Sequence, residues 1–375
     1  MSKQKTFFIT TPIYYVNARP HIGHAYATIA TDVLARFYRQ KKKLVFFLTG
    51  TDEHGAKVAK TAREKGLSPQ KFADKISQEF KTAWQKLGIS FDYFIRTTAP
   101  FHIKYVKEFL SQIYQRGDIY AGEYHGLYCV GCEEYKTKDQ IKDGKCLIHQ
   151  TECEEVKEPV YFFKLSRYQK KLVFLIKTNR LLILPPKRRN EILSFLKKEL
   201  QDVAISRSKV EWGIPLPWDK SQTVYVWVDA LLNYLSVFQS ATRRKFWPAD
   251  LHIIGKDILR FHTVIWPALL LAAGRPLPKK IFVHGFFTIG GQKISKSLKN
   301  AIDPLELTAK FGNDALRYFL LREFSFGEDG DFSLEKLKNR YRNELANDLG
   351  NLVQRVLTLV KKDNLKATHK KVKIP

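Results

Sequence analysis

The sequence predicts a doubly wound α/β fold, in which helices cover both faces of a parallel sheet. The first fifty residues read as strand, glycine-bearing loop, helix and strand, which is the order of a βαβ unit. Strand-like and helix-like runs resume after about residue 203. A stretch between them, residues 120–158, is dense in Cys, Gly and charged residues and poor in long aliphatic ones. This stretch is predicted to be an inserted module.

The first half supplies two predicted strands and three helices. Residues 6–11 are β-rich, and residues 44–48 form a short apolar run closed by Thr-Gly. Residues 24–41 read as the helix between them, because apolar residues recur at helical spacing. These apolar residues are Ile29, Ala30, Val33, Leu34 and Phe37. Helical patterns follow at 68–87 and 100–116.

The second half repeats this alternation. Apolar runs at 223–228, 251–254 and 281–284 predict strands, and helix-like sequence follows each of them. From residue 343 onward the apolar residues share one face of a predicted helix. They are Leu345, Leu349, Leu352, Val353, Val356 and Val360.

The chain is strongly basic and has no predicted membrane span. Lys plus Arg number 64 and Asp plus Glu 37, so the formal net charge is +27. This charge favours a polyanionic partner, either nucleic acid or an anionic membrane, but a Lys-rich background accounts for it equally well. No apolar run approaches the roughly 20 residues of a membrane helix. A soluble, cytoplasmic protein is therefore expected.

The four cysteines cluster between Cys129 and Cys153, which indicates a local metal site rather than a disulfide framework. The pattern Cys129-x2-Cys132, thirteen residues, Cys146-x2-His149 is typical of a zinc knuckle. It predicts one structural Zn²⁺ per chain, held by these four residues. Cys153 is the alternative fourth ligand. Reduced thiols without metal are the less favoured interpretation.

Two separate segments are suited to binding phosphate. His21 and His24 follow the first predicted strand, at a helix start where backbone N–H groups and the helix dipole attract anions. Gly23 between them lets a flat base approach the backbone. By itself, the pattern fits two surface histidines on a turn equally well. Far downstream, residues 290–297 form a glycine-containing loop whose Lys293 and Lys296 can close over phosphates.

These two segments, His21-Ile22-Gly23-His24 and Lys293-Ile294-Ser295-Lys296-Ser297, resemble the signature motifs of class I aminoacyl-tRNA synthetases. Ile294 stands where the common form has Met. Further segments are similar to the methionyl-tRNA synthetase family, in family order from about Phe7 to about Leu357. These segments are residues 11–17, 51–55, 128–132, 212–215, 226–230 and 255–257.

The resemblance implies a Rossmann-like, HUP-type catalytic domain that is split by a zinc-binding insertion and followed by a truncated helical bundle. The implied division is 1–117 and 203–290 for the catalytic halves, 118–202 for the insertion, 291–343 for the lysine-loop and stem-contact region, and 344–375 for the start of the anticodon-binding bundle. The implied activity is that of a methionine-tRNA ligase. Methionine and ATP, with Mg²⁺, give methionyl-adenylate and pyrophosphate, and the methionyl group then passes to the terminal ribose of tRNA.

The family's site residues carry over by position. His21, Gly23, His24, Lys293 and Lys296 match phosphate and nucleotide contacts, and Gly255 and Asp257 match adenosine and ribose contacts. Asp52 matches the carboxylate that holds the substrate ammonium. Tyr15 and His262 are expected to bond each other or reach the sulfur. Leu231 stands where many family members have a different small or cyclic residue. The implied methionine pocket is Ile13, Tyr15, Asp52, Trp227, Leu231, Tyr234, Ile258, Phe261, His262 and Trp266. Without the resemblance, ordinary core aromatics are the favoured interpretation of its rings.

The resemblance also implies partners. The acceptor end of the methionine tRNA is expected to use the basic surface, and a second polypeptide is a possible source of the anticodon-binding part. Adenylate formation is expected to survive in this chain, with weak or absent tRNA charging. Three alternatives stay open: a class I synthetase for leucine, valine or cysteine, a smaller nucleotidyltransferase, and a non-enzymatic tRNA-binding fragment.

Overall fold

A computed structural model describes residues 5–136, 140–147, 150–293 and 301–364. The strands are β1 (Thr6–Tyr15), β2 (Leu44–Asp52), β3 (Tyr93–Arg96), β4 (Ile119–Cys129), β5 (Glu134–Lys136), β6 (Ile141–Lys142), β7 (Lys145–Cys146), β8 (Glu154–Phe163), β9 (Leu182–Leu184), β10 (Val203–Ala204), β11 (Ser206–Arg207), β12 (Thr223–Val224), β13 (Leu251–Gly255), β14 (Lys280–His284), β15 (Phe287–Ile289), β16 (Gln292–Lys293) and β17 (Gly330–Phe332).

The α-helices are α1 (Ile22–Gln40), α2 (Ala56–Glu64), α3 (Pro69–Lys86), α4 (Pro100–Gln115), α5 (Gln169–Lys177), α6 (Pro186–Phe195), α7 (Val226–Ser236), α8 (Ala241–Arg244), α9 (Trp266–Ala272), α10 (Pro304–Phe311), α11 (Asn313–Arg322), α12 (Leu334–Arg340) and α13 (Asn351–Lys362). Shorter 3₁₀ segments are Leu165–Tyr168, Val237–Gln239 and Lys256–Ile258, and π-helical segments are Phe261–Ile265 and Tyr341–Gly350.

Six parallel strands form the central sheet, in the order β3-β2-β1-β13-β14-β9. Successive side chains of β1 enter different cores: Phe8 packs into the cluster on one face, and Phe7 and Ile9 into the cluster on the other. Helices cover both faces, which confirms the predicted doubly wound α/β class. From β1 the chain crosses by way of α1 to β2 on one side, whereas β13 lies on the other side. The strand order therefore reverses between β1 and β13.

The start of α1 packs more tightly than its predicted apolar stripe suggests. Ile22, Tyr26 and Ile29 are fully or almost fully buried, whereas Val33 and Phe37 are 39% and 46% exposed. The helix begins over the sheet, where β13 and the later helices cover it, and its last turns reach the surface. The predicted helix is confirmed, but its buried face lies nearer the N-terminus than expected.

The inserted module is an antiparallel sheet in the order β10-β8-β4-β5, built on the long β4–β8 pair. The predicted insertion, residues 118–202, also contains β9, which pairs in parallel with β14 of the central sheet. The chain thus returns to the central sheet before residue 203. The predicted division into domains otherwise stays a prediction.

Two predicted strand boundaries differ from the structure. Residues 223–228 were expected to form one strand, but β12 ends at Val224 and α7 begins at Val226. The β-branched and aromatic residues of this run favour a strand locally, yet the buried residues Val228, Leu231, Leu232 and Leu235 already follow helical spacing. At the other site, β1 continues past Pro12 to Tyr15 through a register shift between Thr10 and Ile13. Such an irregularity tolerates proline, which lacks an N–H donor.

The predicted C-terminal helix is confirmed by the π-helical segment Tyr341–Gly350 and α13. Its apolar face is largely exposed: Leu349, Leu352, Val353 and Val356 are 48–59% exposed. Among the helices of the described ranges, none combines the length and apolar character that crossing a membrane requires.

Asp32 of α1 connects the loop before β3 of the central sheet to α11. Its buried carboxylate accepts hydrogen bonds from Arg36, Arg317 and the backbone N–H of Ser90. Burial would raise the pKa of Asp32, but the hydrogen bonds from Ser90, Arg36 and Arg317 outweigh it and hold the pKa below its usual value. The carboxylate is therefore ionised at neutral pH and forms ion pairs with two guanidinium groups.

Asp32→Ala is expected to lower the free energy of unfolding by about 3 kcal/mol, because it leaves the Arg317 charge in a mostly buried position without this acceptor. Urea denaturation measures the loss. Arg36→Ala is the control: the Arg36 side chain is 51% exposed, so its loss is expected to cost less than about 1 kcal/mol. Equal losses in the two variants would contradict this assignment.

Candidate active site

A cleft of about 380 Å³ opens at the carboxyl ends of β1, β13 and β14, beside the start of α1. This is the point where the strand order reverses, and open α/β sheets bind ligands at such points. The size lies within the range of small-molecule sites. Most of the predicted site residues line it: Ile13, Tyr15, His21, Gly23, His24, Asp52, Trp227, Leu231, Tyr234, Gly255, Asp257, Ile258, Phe261 and His262.

The two histidines of the first segment cap α1 together. His21 Nδ1 accepts the Gly23 N–H at 3.1 Å, and His24 Nδ1 accepts the His21 N–H at 3.3 Å. The two rings stack with their centroids 3.7 Å apart. In each neutral ring the proton is therefore on Nε2, since Nδ1 is an acceptor. Nε2–H is the group that can donate to a phosphate oxygen.

His24 is a neutral donor at physiological pH. Burial, and then the proximity of His21, lower the pKa of His24 well below its usual value. Its ring also contacts Tyr14 and Phe80, which hold it against the core. The positive end of the α1 dipole lies at the same place. The start of α1 therefore offers oriented hydrogen-bond donors to an anion.

Gly255 and Asp257 lie next to each other at the end of β13, as their predicted roles require. A Cβ atom on Gly255 would lie 2.6 Å from Asp257 Oδ1. A side chain at residue 255 would therefore displace the carboxylate. His284, at the end of neighbouring β14, lines the same part of the cleft and was not predicted. Its Nδ1–H donates to the Gly285 carbonyl.

Asp52 ends β2 inside the cleft and is 7% exposed. Its Oδ1 atom is buried and has no hydrogen-bond partner within the described part of the chain. Burial, and then the carboxylates of Asp229, Glu133 and Glu53, raise the pKa of Asp52 well above its usual value. A cationic group in the cleft would relieve both the desolvation and the repulsion. This side chain is suited to a substrate ammonium.

Aromatic rings form the apolar wall of the cleft. Trp227 and Phe261 stack with their centroids 4.1 Å apart and their planes 13° apart. The predicted Trp266 does not line the cleft: it is fully buried behind Tyr234, with ring centroids 5.8 Å apart. A slot between flat, polarisable surfaces of this kind suits a thioether or another flexible apolar chain.

Of the two alternatives expected for Tyr15 and His262, the bond between them does not form, and a contact with the sulfur stays a prediction. It is Tyr234 that donates its O–H to His262 Nε2 at 2.8 Å, while His262 Nδ1–H donates to the Ile258 carbonyl at 3.0 Å. Burial lowers the pKa of His262 to about 4, so the ring is neutral. The Tyr15 hydroxyl is buried and lies beside the Glu133 carboxylate; burial, and then this carboxylate, raise the pKa of Tyr15 well above its usual value. The hydrogen bond from His262 to the Ile258 carbonyl fixes the tautomer of His262. The sequence alone does not indicate this tautomer.

The lysine loop is anchored beside the histidines at both ends. Before it, Phe287 lines the cleft, and Lys293 pairs through its backbone with Thr288. After it, the Ile302 carbonyl accepts the Ile22 N–H at 3.0 Å. The Lys293 side chain and Lys296 lie outside the described residues, so their predicted roles stay predictions.

Three of the predicted metal ligands come together in the insertion. One sulfur atom from each of Cys129, Cys132 and Cys146 lies within 4.8 Å of the others. The Cys132 and Cys146 sulfurs are 3.7 Å apart. Zn–S bonds of about 2.3 Å place tetrahedral sulfurs about 3.8 Å apart, so the cluster fits zinc. The predicted fourth ligand, His149, lies outside the described residues.

Cys153 lies close to this cluster. Burial, and then the thiols of Cys129 and Cys146, raise the pKa of its own thiol. Its backbone N–H donates to the Gly144 carbonyl at 3.0 Å, which folds the chain after β7 back onto the β6–β7 hairpin.

A buried network links the loop after β2 to α7. Asp229 accepts hydrogen bonds from His54 Nδ1 at 2.7 Å and from His102 Nε2 at 2.8 Å. Burial would raise the pKa of Asp229, but the two histidines outweigh it and keep the pKa below its usual value. Because Trp227 lies on the same helix, this network positions the apolar wall relative to Asp52.

The cleft also contains residues that the sequence did not suggest. Lys57 from the start of α2 and Glu133 and Glu134 from the insertion line it. Lys57 lies two residues beyond the 51–55 segment, and Glu133 follows Cys132 directly, so each adjoins a recognised motif. Only the packing of the insertion on the catalytic sheet brings them together.

Comparisons with known proteins agree with this geometry. The family model "tRNA synthetases class I (M)" matches residues 7–152 and 136–357. A methionine-tRNA ligase of Caldanaerobacter subterraneus is 50% identical over 96% of this chain and 57% of its own length, and one of Thermotoga maritima is 49% identical over 95% and 58%. The chain thus spans somewhat more than half the length of these relatives.

A solved structure shows the same architecture. The methionyl-tRNA synthetase of Mycobacterium tuberculosis in complex with methionyl-adenylate matches with a TM-score of 0.92 and 45% identity, over 96% of this chain and 72% of that one. The same protein in its free state matches with a TM-score of 0.83 and 40% identity. Taken with the family model, which extends over most of the chain, these likenesses show that the chain belongs to the methionine branch of the class I tRNA synthetases.

Proposed function

We propose that this chain carries the catalytic part of a methionine-tRNA ligase. It would join methionine to ATP, releasing pyrophosphate, and pass the methionyl group to the 3′-terminal ribose of the methionine tRNA. One observation carries the proposal: a buried carboxylate with an unpartnered oxygen, Asp52, shares a single cleft with the Trp227–Phe261 stack and the His21–His24 pair. The cleft thus offers sites for an ammonium, an apolar side chain and a triphosphate.

Positioning and charge stabilisation account for the chemistry. Asp52 holds the methionine ammonium, and Trp227 and Phe261 hold the thioether, so the carboxylate of methionine is directed toward the α-phosphate. Nε2–H groups of His21 and His24 donate to the phosphate oxygens as negative charge develops. Lys293 and Lys296 contact the β- and γ-phosphates, and Gly255 and Asp257 hold the adenosine. Mg²⁺ bound with ATP supplies further neutralisation of the phosphates.

We also propose a structural zinc in the insertion, with Cys153 rather than the expected His149 as fourth ligand. The 3.7 Å separation between the Cys132 and Cys146 sulfurs supports zinc. The interaction of Cys153 with the thiols of Cys129 and Cys146 supports Cys153 as the fourth ligand. Four protein ligands leave no open position on the metal, so its part is to hold the fold of the insertion.

The tRNA and the cell compartment follow from the same function. We propose the acceptor end of the methionine tRNA as the polyanion that matches the net charge of +27. A second polypeptide that reads the anticodon is a further proposed partner. Charging of tRNA serves translation, so the proposed compartment is the cytoplasm.

Amino-acid-dependent exchange of labelled pyrophosphate into ATP tests the function. Exchange is expected with methionine and not with leucine, valine or cysteine. Exchange with one of those three would favour another class I synthetase. Exchange without any amino acid would favour a nucleotidyltransferase, and none at all would favour a binding fragment.

Trp227→Ala is expected to raise the KM for methionine by about 100-fold and to change the KM for ATP little, because it removes one face of the aromatic slot. Pyrophosphate-exchange kinetics with each substrate varied in turn measure both constants. Trp218→Ala is the control, since Trp218 stacks on Tyr114 outside the cleft. An unchanged KM for methionine in Trp227→Ala would refute the assignment.

The KM for methionine is expected to rise as the pH falls below neutrality. Asp52 has a raised pKa, so it takes up a proton in that direction and loses its attraction for the ammonium. Exchange kinetics between about pH 5.5 and 8 measure the trend. Asp52→Asn is expected to have a high KM at every pH. A wild-type pH trend retained in Asp52→Asn would assign the titration to another group.

Cys153→Ser is expected to lose the bound metal, whereas His149→Ala retains it, because the thiolate and not the imidazole is the proposed fourth ligand. Metal analysis of the purified variants by mass spectrometry measures the zinc content per chain. Zinc lost only in His149→Ala would restore the ligand set expected from the spacing.

A further inference from the structure

The zinc-binding turn, residues 129–133, contacts the part of the cleft around Trp227 and Lys57 from two directions. The Trp227 indole N–H donates to the Cys132 carbonyl at 3.4 Å, which joins the turn to the aromatic wall. The Lys57 ammonium donates to the Gly131 carbonyl, which joins the turn to the start of α2. The turn is therefore part of the cleft and not a separate appendage.

Glu133 makes the third contact and is an unusual residue. It has a positive φ of 51° although it is not a glycine, and it is only 6% exposed. Its Oε1 atom accepts the Lys57 N–H at 3.1 Å. A strained, buried carboxylate of this kind persists only where the surrounding contacts hold it.

These contacts make Glu133 the N-terminal cap of α2, supplied from another part of the chain. The local N-cap residue is Gly55, which has no side chain to accept a backbone N–H. A Cβ atom on Gly55 would lie 2.5 Å from the Tyr15 hydroxyl and 2.9 Å from Glu133 Oε1. The glycine therefore makes room for the incoming carboxylate, and the carboxylate does the capping that the glycine cannot do.

The capped turn begins four residues after Asp52. The chain between them is short and buried, and the Gly55 N–H also donates to the Trp212 carbonyl at 2.9 Å. A shift of the first turn of α2 would consequently move the Asp52 carboxylate. We propose that Glu133 is a positioning residue for methionine: by capping α2 from the zinc-binding turn, it fixes the loop that presents Asp52 to the substrate ammonium. This inference rests on the proposed methionine activation.

Two Glu133 variants and one control test it in pyrophosphate exchange. Glu133→Ala is expected to raise the KM for methionine about 10-fold with the KM for ATP and the zinc content unchanged, since loss of a cap is of this order. Glu133→Gln keeps an oxygen acceptor and loses the charge at the helix start, so its KM for methionine is expected to rise only about 2- to 5-fold. Glu155→Ala is the control, because that glutamate of the same insertion is 74% exposed.

Amide hydrogen exchange of α2 gives a readout that does not depend on activity. Exchange over residues 56–64 is expected to accelerate in Glu133→Ala and to match the wild type in Glu155→Ala. An unchanged KM for methionine, or KM values for both substrates that rise together with loss of zinc, would overturn the positioning role, as would unaltered exchange in α2. Wild-type protein that exchanges pyrophosphate into ATP with another amino acid, or without any amino acid, would instead contradict the proposed function. In that case amide hydrogen exchange of α2 would still decide whether Glu133 caps the helix.

Discussion

The cleft depends on the reversal of strand order between β1 and β13. Because the chain leaves β1 toward β2 on one side and β13 lies on the other, no connection covers the carboxyl ends of these two strands. The start of α1 points into this gap, and its two histidines cap the helix through Nδ1 while keeping Nε2–H for a ligand. The proposed anion site would thus be a consequence of topology joined to one capping arrangement.

The electrostatics around Asp52 follow from how the neighbouring carboxylates are neutralised. Asp229 accepts from His54 and His102, and Glu53 forms an ion pair with Arg96. Asp52 is the member of this group that keeps a buried oxygen without a partner among the described residues. Its raised pKa reports the cost of holding a carboxylate there without a cation. A substrate ammonium would complete an arrangement in which the other charges are already satisfied.

The insertion is part of this arrangement. Its turn at residues 129–133 supplies backbone carbonyls to Trp227 and Lys57 and a carboxylate to the start of α2. A metal that holds three thiolates in place would therefore also hold the wall of the cleft, although it lies outside the reacting centre. The proposed metal would compensate for the composition of the module, which has too few long aliphatic residues to hold such contacts by a hydrophobic core.

Local patterns in the sequence were sufficient for the α/β class, the cluster of three cysteines and most of the residues that line the cleft. Helical spacing, Cys-x2-Cys spacing and the two signature segments are all short-range features. The run 223–228 shows where such patterns end: its residues favour a strand, but its second half is the start of α7, whose buried residues include Leu231, Leu232 and Leu235. The tertiary structure alone decided that β9 rejoins the sheet, that His262 bonds Tyr234 and that Glu133 reaches α2. Each of these is a contact between segments distant in sequence or a choice among partners of similar chemistry. Packing geometry settles such contacts and choices, and a single sequence carries no local signal of that geometry.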